Sequence, residues 1–405
     1  MKYLMLCPIF LIVFTACSQS AEKKETTQIP PIQKDTAWWG KTTGKLPALL
    51  YGDGTDRLGG ATIGYIDTGV VCKVIGQVKK FYQLQLSQYH TALIDTAMIQ
   101  RDTVLQIIQP VLSGSWKAWG TDSCYDIVTI HLNQKVPYTS YMEVNPSAIK
   151  IKLYGVQSNT NWITQLQSLK EIKNLYYHQT ENDVLEVVIQ LKHAQHWGYT
   201  IGYEGKKLMV KVKRQPNIVG LLHLTFAVDA GHGGTNEGAR GNVYGLVEKN
   251  YTLLFAKELE KQLKLAHAKV IMTRTNDTTF DNKDRVLFLQ QKNPDVLISL
   301  HLNSADDISV NGVSTYYKHI GFRPLSQFIL KRITAFKMNG FGNIGSFNFA
   351  LNAPTDFVNC LVEIAFLSNK GDEIKIKNPA FRTAVAKQIV LGIKDWLRYV
   401  ATEKN

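Results

Sequence analysis

An α/β domain with a mainly parallel sheet, preceded by two small β-rich domains, is the fold class predicted for this sequence. Two observations carry it. After Arg214-Gln215-Pro216-Asn217, apolar strand-like runs alternate with helical ones, the order that builds a sheet flanked by helices. Before that point, from about 37 to 215, short alternating runs are broken by turn residues, which is a β-rich pattern. The composition agrees: 405 residues, 45% hydrophobic and 20% charged, suffice for two or three folded domains.

Taken in order, residues 1–17 read as a secretory signal. Lys2 gives a short positive end, Tyr3 to Phe14 are almost wholly apolar, and Phe14-Thr15-Ala16-Cys17 sets a cysteine after small residues. The apolar run is too short to span a bilayer. Residues 18–36 are mostly Lys, Glu, Thr, Gln, Ser and Pro, the composition of a flexible tether. In 37–103, turn signals at Gly52-Asp53-Gly54, Gly59-Gly60 and Asp67-Thr68-Gly69 mark a small all-β unit. In 104–215, alternating runs at Asp126 to Leu132, Ile149 to Leu153, Val184 to Leu191 and Lys207 to Val212 predict a two-sheet sandwich. Trp116, Trp119, Trp162 and Trp197 fall there; they could stack on sugar rings, but tryptophans in small β domains are more often core. Cys72, Cys124 and Cys360, an odd number mostly flanked by apolar residues, predict buried free thiols rather than a disulfide framework.

In the last domain the pattern predicts strands at 224–229, 269–273, 296–300, 312–317 and 360–365. Helices are expected at 248–266, 282–292, 324–338 and 379–399. The stretch Phe226-Ala227-Val228-Asp229-Ala230-Gly231-His232-Gly233-Gly234 reads as a buried strand running into a glycine loop that presents one histidine. Glu248 follows sixteen residues later at the start of a helix, and His301 closes the run Val296 to Leu300. Two imidazoles and a carboxylate at neighbouring strand-end segments suit Zn²⁺, with a fourth position left for water. Glu363 lies inside the otherwise apolar Cys360-Leu361-Val362-Glu363-Ile364-Ala365-Phe366. A charge there is costly unless something compensates it, and beside such an ion it is placed to act as general base.

These residues carry a family resemblance. The segment 223–401 resembles the catalytic domain of bacterial zinc-dependent N-acetylmuramoyl-L-alanine amidases. The matching pieces are Val228-Asp229-Ala230-Gly231-His232-Gly233-Gly234, Gly245-Leu246-Val247-Glu248-Lys249, Val270-Ile271-Met272-Thr273-Arg274, Ser299-Leu300-His301-Leu302-Asn303-Ser304-Ala305 and Leu361 to Asn369. Ala230 stands where the family usually has Pro, and Leu302 where it has Ala; neither is a ligand position. The resemblance implies that His232, Glu248 and His301 hold one zinc ion and that Glu363 is the catalytic carboxylate. The bond cut would join the lactyl group of N-acetylmuramic acid to L-alanine of the stem peptide, in wall remodelling or daughter-cell separation. Asn303 and Arg285 lie in matching segments as candidates to orient substrate, with a loop cap and a helix salt bridge as the alternative roles.

The preceding parts carry weaker resemblances. Ala61 to Gly76, Phe81 to Leu86 and Thr91 to Ile94 are similar to the bacterial Src-homology-3-like barrels of wall hydrolases, giving 37–103. The pattern of 104–215 resembles the AMIN-type domains that target such amidases to peptidoglycan. The end of the signal resembles a lipobox, with Cys17 as the lipidated residue, although Phe14 stands where Leu is commoner. Together these imply a membrane-anchored lipoprotein of the cell envelope, facing the periplasm or wall, whose partners are peptidoglycan and, through the lipid, a membrane. The net charge is +13, yet no basic run or nucleic-acid motif appears, so no nucleic-acid partner is expected. Some relatives plug the zinc site with a long helical insert between the second histidine and the catalytic glutamate. Here that interval is used by a strand, a helix and a loop, which predicts an open site needing no activator protein. A zinc peptidase acting within the stem peptide and a non-catalytic wall-binding lipoprotein are the alternatives in view.

Overall fold

Four sheets account for the apolar runs in the computed structural model, which describes residues 37–53, 61–121, 124–336 and 338–403. The expected signal, tether and Cys17 lie outside the described residues. The described residues all fall within one compact unit, Gln33–Asn405. Strands between Trp38 and Arg101 form a seven-stranded sheet over buried Leu49, Val74, Leu84 and Ile94. A four-stranded sheet (Tyr138–Val144, Ser147–Tyr154, Val184–Leu191, Ile172–Glu181) then packs on a six-stranded one that includes Val111–Gly120, Tyr125–Leu132 and Lys207–Lys213. Trp116 of one sheet meets Tyr177 of the other with ring centroids 5.3 Å apart.

The tryptophans divide. Trp116 and Trp197 are core, Trp119 is half-buried, and Trp162 is 67% exposed. Cys72 and Cys360 are buried free thiols as expected, but Cys124 is exposed, just before the strand that opens at Tyr125.

The last sheet has six strands in the order Lys269–Met272, Thr225–Ala230, Val296–Asn303, Val358–Phe366, Val313–Tyr316 and Gly340–Ile344. The first four run parallel; Val313–Tyr316 runs antiparallel to Val358–Phe366, and Gly340–Ile344 parallel to Val313–Tyr316. The expectation of a mainly parallel sheet is thus met in part: four of its five strand pairs are parallel, and the one antiparallel pair makes the sheet mixed. The connection from Ser304 to Gly312 is too short for a helical crossover, so the chain must reverse there.

Two further elements were not expected. Gly340–Ile344 reads as a loop in sequence because glycines interrupt its alternation, and its pairing is decided by Val313–Tyr316. The helix Lys370–Lys377 follows Asn369, whose side chain accepts from the Asp372 amide at 3.1 Å, an ordinary N-cap. Helices Glu248–Leu265, Arg323–Ala335 and Pro379–Thr402 bury Phe255, Leu259, Ile329, Ile389, Ile393 and Trp396 against the sheet and one another.

The β-rich parts are packed on this domain rather than strung before it. Trp197 of the sandwich lies 5.5 Å from Trp396, whose Nε1 donates to Gln195 at 2.8 Å. Lys318 donates to the carbonyl of Thr62 in the first sheet, and burial lowers its ammonium to about 8. Among the described residues no helix is long and apolar enough to cross a membrane.

Candidate active site

His232 leaves the buried strand Thr225–Ala230 in a left-handed conformation, φ 59°, which few residues other than glycine adopt. Two arginines hold that turn. Arg274 donates to the carbonyls of Ala230 (2.9 Å), Gly231 (2.9 Å) and Lys249 (2.7 Å). Arg285 donates to Ala230 (2.7 Å), Phe280 (2.8 Å) and His232 through their carbonyls, and to Asp229 Oδ1 at 2.6 Å. Asp229, fully buried, also accepts from Thr273 and Ser299 at 2.7 Å each. Gly231 is required by space: a Cβ there would lie 2.4 Å from the His301 ring.

His301 and Glu363 lie within strands rather than at their ends, as Val296–Asn303 and Val358–Phe366 both run on past them. They are cross-strand partners, which sets imidazole and carboxylate side by side. Glu248 opens its helix and turns its carboxylate between the histidines. Its Oε1 lies 3.0 Å from His232 Nε2 and 3.0 Å from His301 Nδ1, and the ligand atoms of the three residues are within 4.8 Å of one another. Backbone amides of Leu302 and Ala239 donate to Glu248 at 3.0 and 2.8 Å, fixing both its oxygens.

Burial works against the Glu248 charge, but the hydrogen bonds from both histidines hold its carboxyl far below the usual range. Burial, then the charge of Glu248, push Glu363 well above it. Glu363 is 7% exposed, and its Oε2 has no hydrogen-bond partner among the described residues. All four residues line one cleft of about 1040 Å³. Two imidazoles and a carboxylate converging on one point, beside a buried carboxylate with an unspent oxygen, fit a divalent metal and a group that handles a proton.

Of the two candidate substrate residues, Asn303 borders the cleft and its side-chain oxygen accepts from the Ser304 amide at 2.8 Å. Arg285 also borders the cleft but is 2% exposed, with its donors turned onto Asp229 and the carbonyls that hold His232. The salt bridge weighed as its alternative role is what the structure contains.

Asn236 went unnoticed in sequence. Its Oδ1 accepts from His232 Nδ1 at 2.9 Å, which leaves Nε2 facing Glu248. An asparagine in a glycine-rich turn has no periodic signal; its position four residues after the histidine was the available hint. Arg274 falls in a matching segment, but its role was silent, because a buried arginine that caps carbonyls looks like any other at a strand's end.

Residues 227–395 match the family model described as N-acetylmuramoyl-L-alanine amidase. The probable cell wall amidase LytH of Staphylococcus aureus is 34% identical over 173 residues, 42% of this chain and 57% of that protein. The match thus spans little more than half the length of these curated relatives. Among solved structures, an N-acetylmuramoyl-L-alanine amidase from Clostridium difficile 630 is similar at 29% identity, covering 44% of this chain and 98% of that one, with a TM-score of 0.42. The catalytic domain of CwlV from Bacillus (Paenibacillus) polymyxa var. colistinus is also 29% identical, covering 43% and 98%, with a TM-score of 0.41. Residues 227–395 are thus similar to the N-acetylmuramoyl-L-alanine amidases.

Proposed function

We propose that this protein is a zinc-dependent N-acetylmuramoyl-L-alanine amidase that cuts the amide between N-acetylmuramic acid and L-alanine of the peptidoglycan stem peptide. The observation that carries the reading is the convergence of His232, Glu248 and His301 within 4.8 Å beside the buried Glu363. These three residues would hold one Zn²⁺. The chemistry such an ion supplies is Lewis acidity, polarising the amide carbonyl and lowering the pKa of a water to about 7. Glu363 takes a proton from the attacking water and passes it to the leaving nitrogen of L-alanine. Its apolar strand keeps bulk water from competing for that proton. Arg274 and Arg285 hold the His232 turn, and Asn303 lines the cleft.

Digestion of purified peptidoglycan tests the reading. Stem peptides beginning at L-alanine should appear, vanish on chelation and return with zinc; peptides cut internally would instead make this a stem peptidase. Absence of any release with zinc bound would leave a wall-binding role. Asn236→Ala should weaken zinc affinity about 10–100-fold by freeing the His232 ring, read by competition with a chelating dye; unchanged affinity would refute that role.

The remainder of the chain fits an envelope enzyme. Residues 1–17 would direct export, Cys17 would carry the lipid, and 18–36 would tether the folded part to the membrane. The sheet over 37–103 would be Src-homology-3-like and the sandwich over 104–215 AMIN-like, both directed at peptidoglycan, with no nucleic-acid partner. The site would be open and independent of an activator. Between His301 and Glu363 the described α-helix is Arg323–Ala335, which packs against Pro379–Thr402 rather than over the cleft; Gly392 meets it so closely that a Cβ would lie 2.7 Å from Ile329 Cα.

A further inference from the structure

We propose that Phe341, Phe347 and Phe349 form a saccharide-binding wall of the cleft, which receives the pyranose ring on the glycan side of the scissile amide. The inference rests on the amidase reading and deepens it. All three phenylalanines line the same cleft as the metal-site residues. Phe347 and Phe349 have ring centroids 4.5 Å apart, and Tyr316 backs both at 4.8 and 5.2 Å. Phe349 lies parallel to the His301 ring, 6.5 Å away and 5° from coplanar orientation. Phe341 leans on Phe366 at 5.3 Å and is itself 52% exposed.

These rings are held in place by backbone. Gly340–Ile344 pairs with Val313–Tyr316, the Tyr317 amide donates to the Ile344 carbonyl at 3.1 Å, and the Phe347 amide to the Tyr317 carbonyl at 3.3 Å. A single exposed aromatic needs no explanation. One exposed and two half-buried phenylalanines lining a cleft beside a candidate metal centre do, because the part of each ring turned to the cleft stays in water unless a ligand covers it.

The sheet order decides which arm of the substrate lies there. His301 and Glu363 stand on the two central strands, and the aromatic wall hangs from the edge formed by Val313–Tyr316 and Gly340–Ile344. Towards the other edge, the loops after Thr225–Ala230 and Lys269–Met272 bring Thr235, Thr279, Phe280, Asp281 and Asn282 to the cleft, a side with one aromatic ring among polar groups. A stem peptide is a chain of amides and carboxylates and needs the hydrogen-bonding groups of that polar side. A pyranose ring has an apolar C–H face, and an N-acetyl methyl beside it, that cover aromatic carbon without leaving donors unpaired. Asn303 and Ser304, also on the cleft, are available to its hydroxyls.

The test uses the full chain carrying Glu363→Gln, so that nothing is cleaved, titrated with the peptide-free disaccharide N-acetylglucosaminyl-N-acetylmuramic acid and, separately, with free stem peptide. Phe341→Ala and Phe347→Ala are chosen because neither ring stacks on His301. Each should raise the disaccharide Kd about tenfold and leave the peptide Kd unchanged. Phe347→Trp should restore disaccharide binding, while Phe347→Leu, which fills the volume without a flat face, should not. No measurable disaccharide binding before substitution, an unchanged disaccharide Kd, or equal losses for both probes would overturn the proposal. Peptidoglycan digestion by the unsubstituted chain is scored separately. Stem-peptide release with disaccharide binding indifferent to the substitutions would remove the saccharide wall and keep the amidase. Wall-dependent disaccharide binding without release would remove the amidase instead.

Discussion

Glu363→Ala and Glu363→Gln are expected to retain one equivalent of zinc while kcat falls about 10²–10⁴-fold, the range for loss of a positioned acid–base group. The residue sits in the middle of Val358–Phe366, every other position of which is also buried. Nothing in that strand needs a carboxylate for packing. Burial and Glu248 both disfavour its charge, and Oε2 lacks a hydrogen-bond partner among the described residues, so the ionised side chain is a cost to the fold. The glutamine variant should therefore unfold at the same temperature as the parent or higher, the usual sign of a group kept for activity. A carboxylate kept for structure behaves differently, because its removal lowers stability together with rate. Near-normal turnover in either variant, or a fall in thermal midpoint matching the fall in rate, would sink the assignment. Zinc content measured on the same samples separates this from ligand loss, which His301→Ala should show.

The parts of the molecule legible in sequence are those where one residue type has one cheap explanation. The run Phe226 to Ala230 can only be buried, and Glu363 amid apolar neighbours is conspicuous because charge there is costly. His232, Glu248 and His301 could be grouped because each stands at a change from one periodic pattern to another. The antiparallel return of Val313–Tyr316 was hidden, since periodicity reports that a strand exists and not which way it pairs. Gly340–Ile344 was hidden for a related reason: its glycines lower any local preference, and the neighbouring strand alone selects the extended form. Supporting residues were least visible. Asn236 acts through a hydrogen bond within a turn and Arg274 through several to groups distant in the chain, and a one-dimensional pattern has no term for either. Arg285 is the opposite case: a motif position beside the site suggests substrate, and the side chain, though it borders the cleft, spends its donors on Asp229 and three backbone carbonyls.

That difference has a measurable consequence: Arg285→Ala is expected to destabilise the protein by about 3–5 kcal/mol, the range for breaking one partner out of a buried ion pair. Asp229 is fully buried and Arg285 is 2% exposed, so the charge left behind has no water to turn to. For a domain of this size the loss corresponds to a fall in Tm on the order of 10 °C. Arg285→Lys should recover only part of it, since an ammonium cannot reach the Asp229 carboxylate and three carbonyls at once. The acid side of the stability profile should change as well. Burial opposes the Asp229 charge, but Arg285, Thr273 and Ser299 outweigh it and hold its carboxyl below the ordinary aspartate range. A depressed carboxyl contributes stability that is present above its unfolded pKa and lost as pH falls through the folded value. The parent should therefore lose this contribution only in acid, while Arg285→Ala should lack it already at neutral pH. In a double-mutant cycle with Asp229→Asn the two losses should be clearly less than additive, because each variant alone breaks the same pair. Because Arg285 also holds the carbonyl of His232, whose φ of 59° needs support, zinc affinity should fall with stability. A substrate-binding arginine would give the reverse signature, a raised KM with unfolding and zinc affinity untouched, and that result would return Arg285 to the substrate.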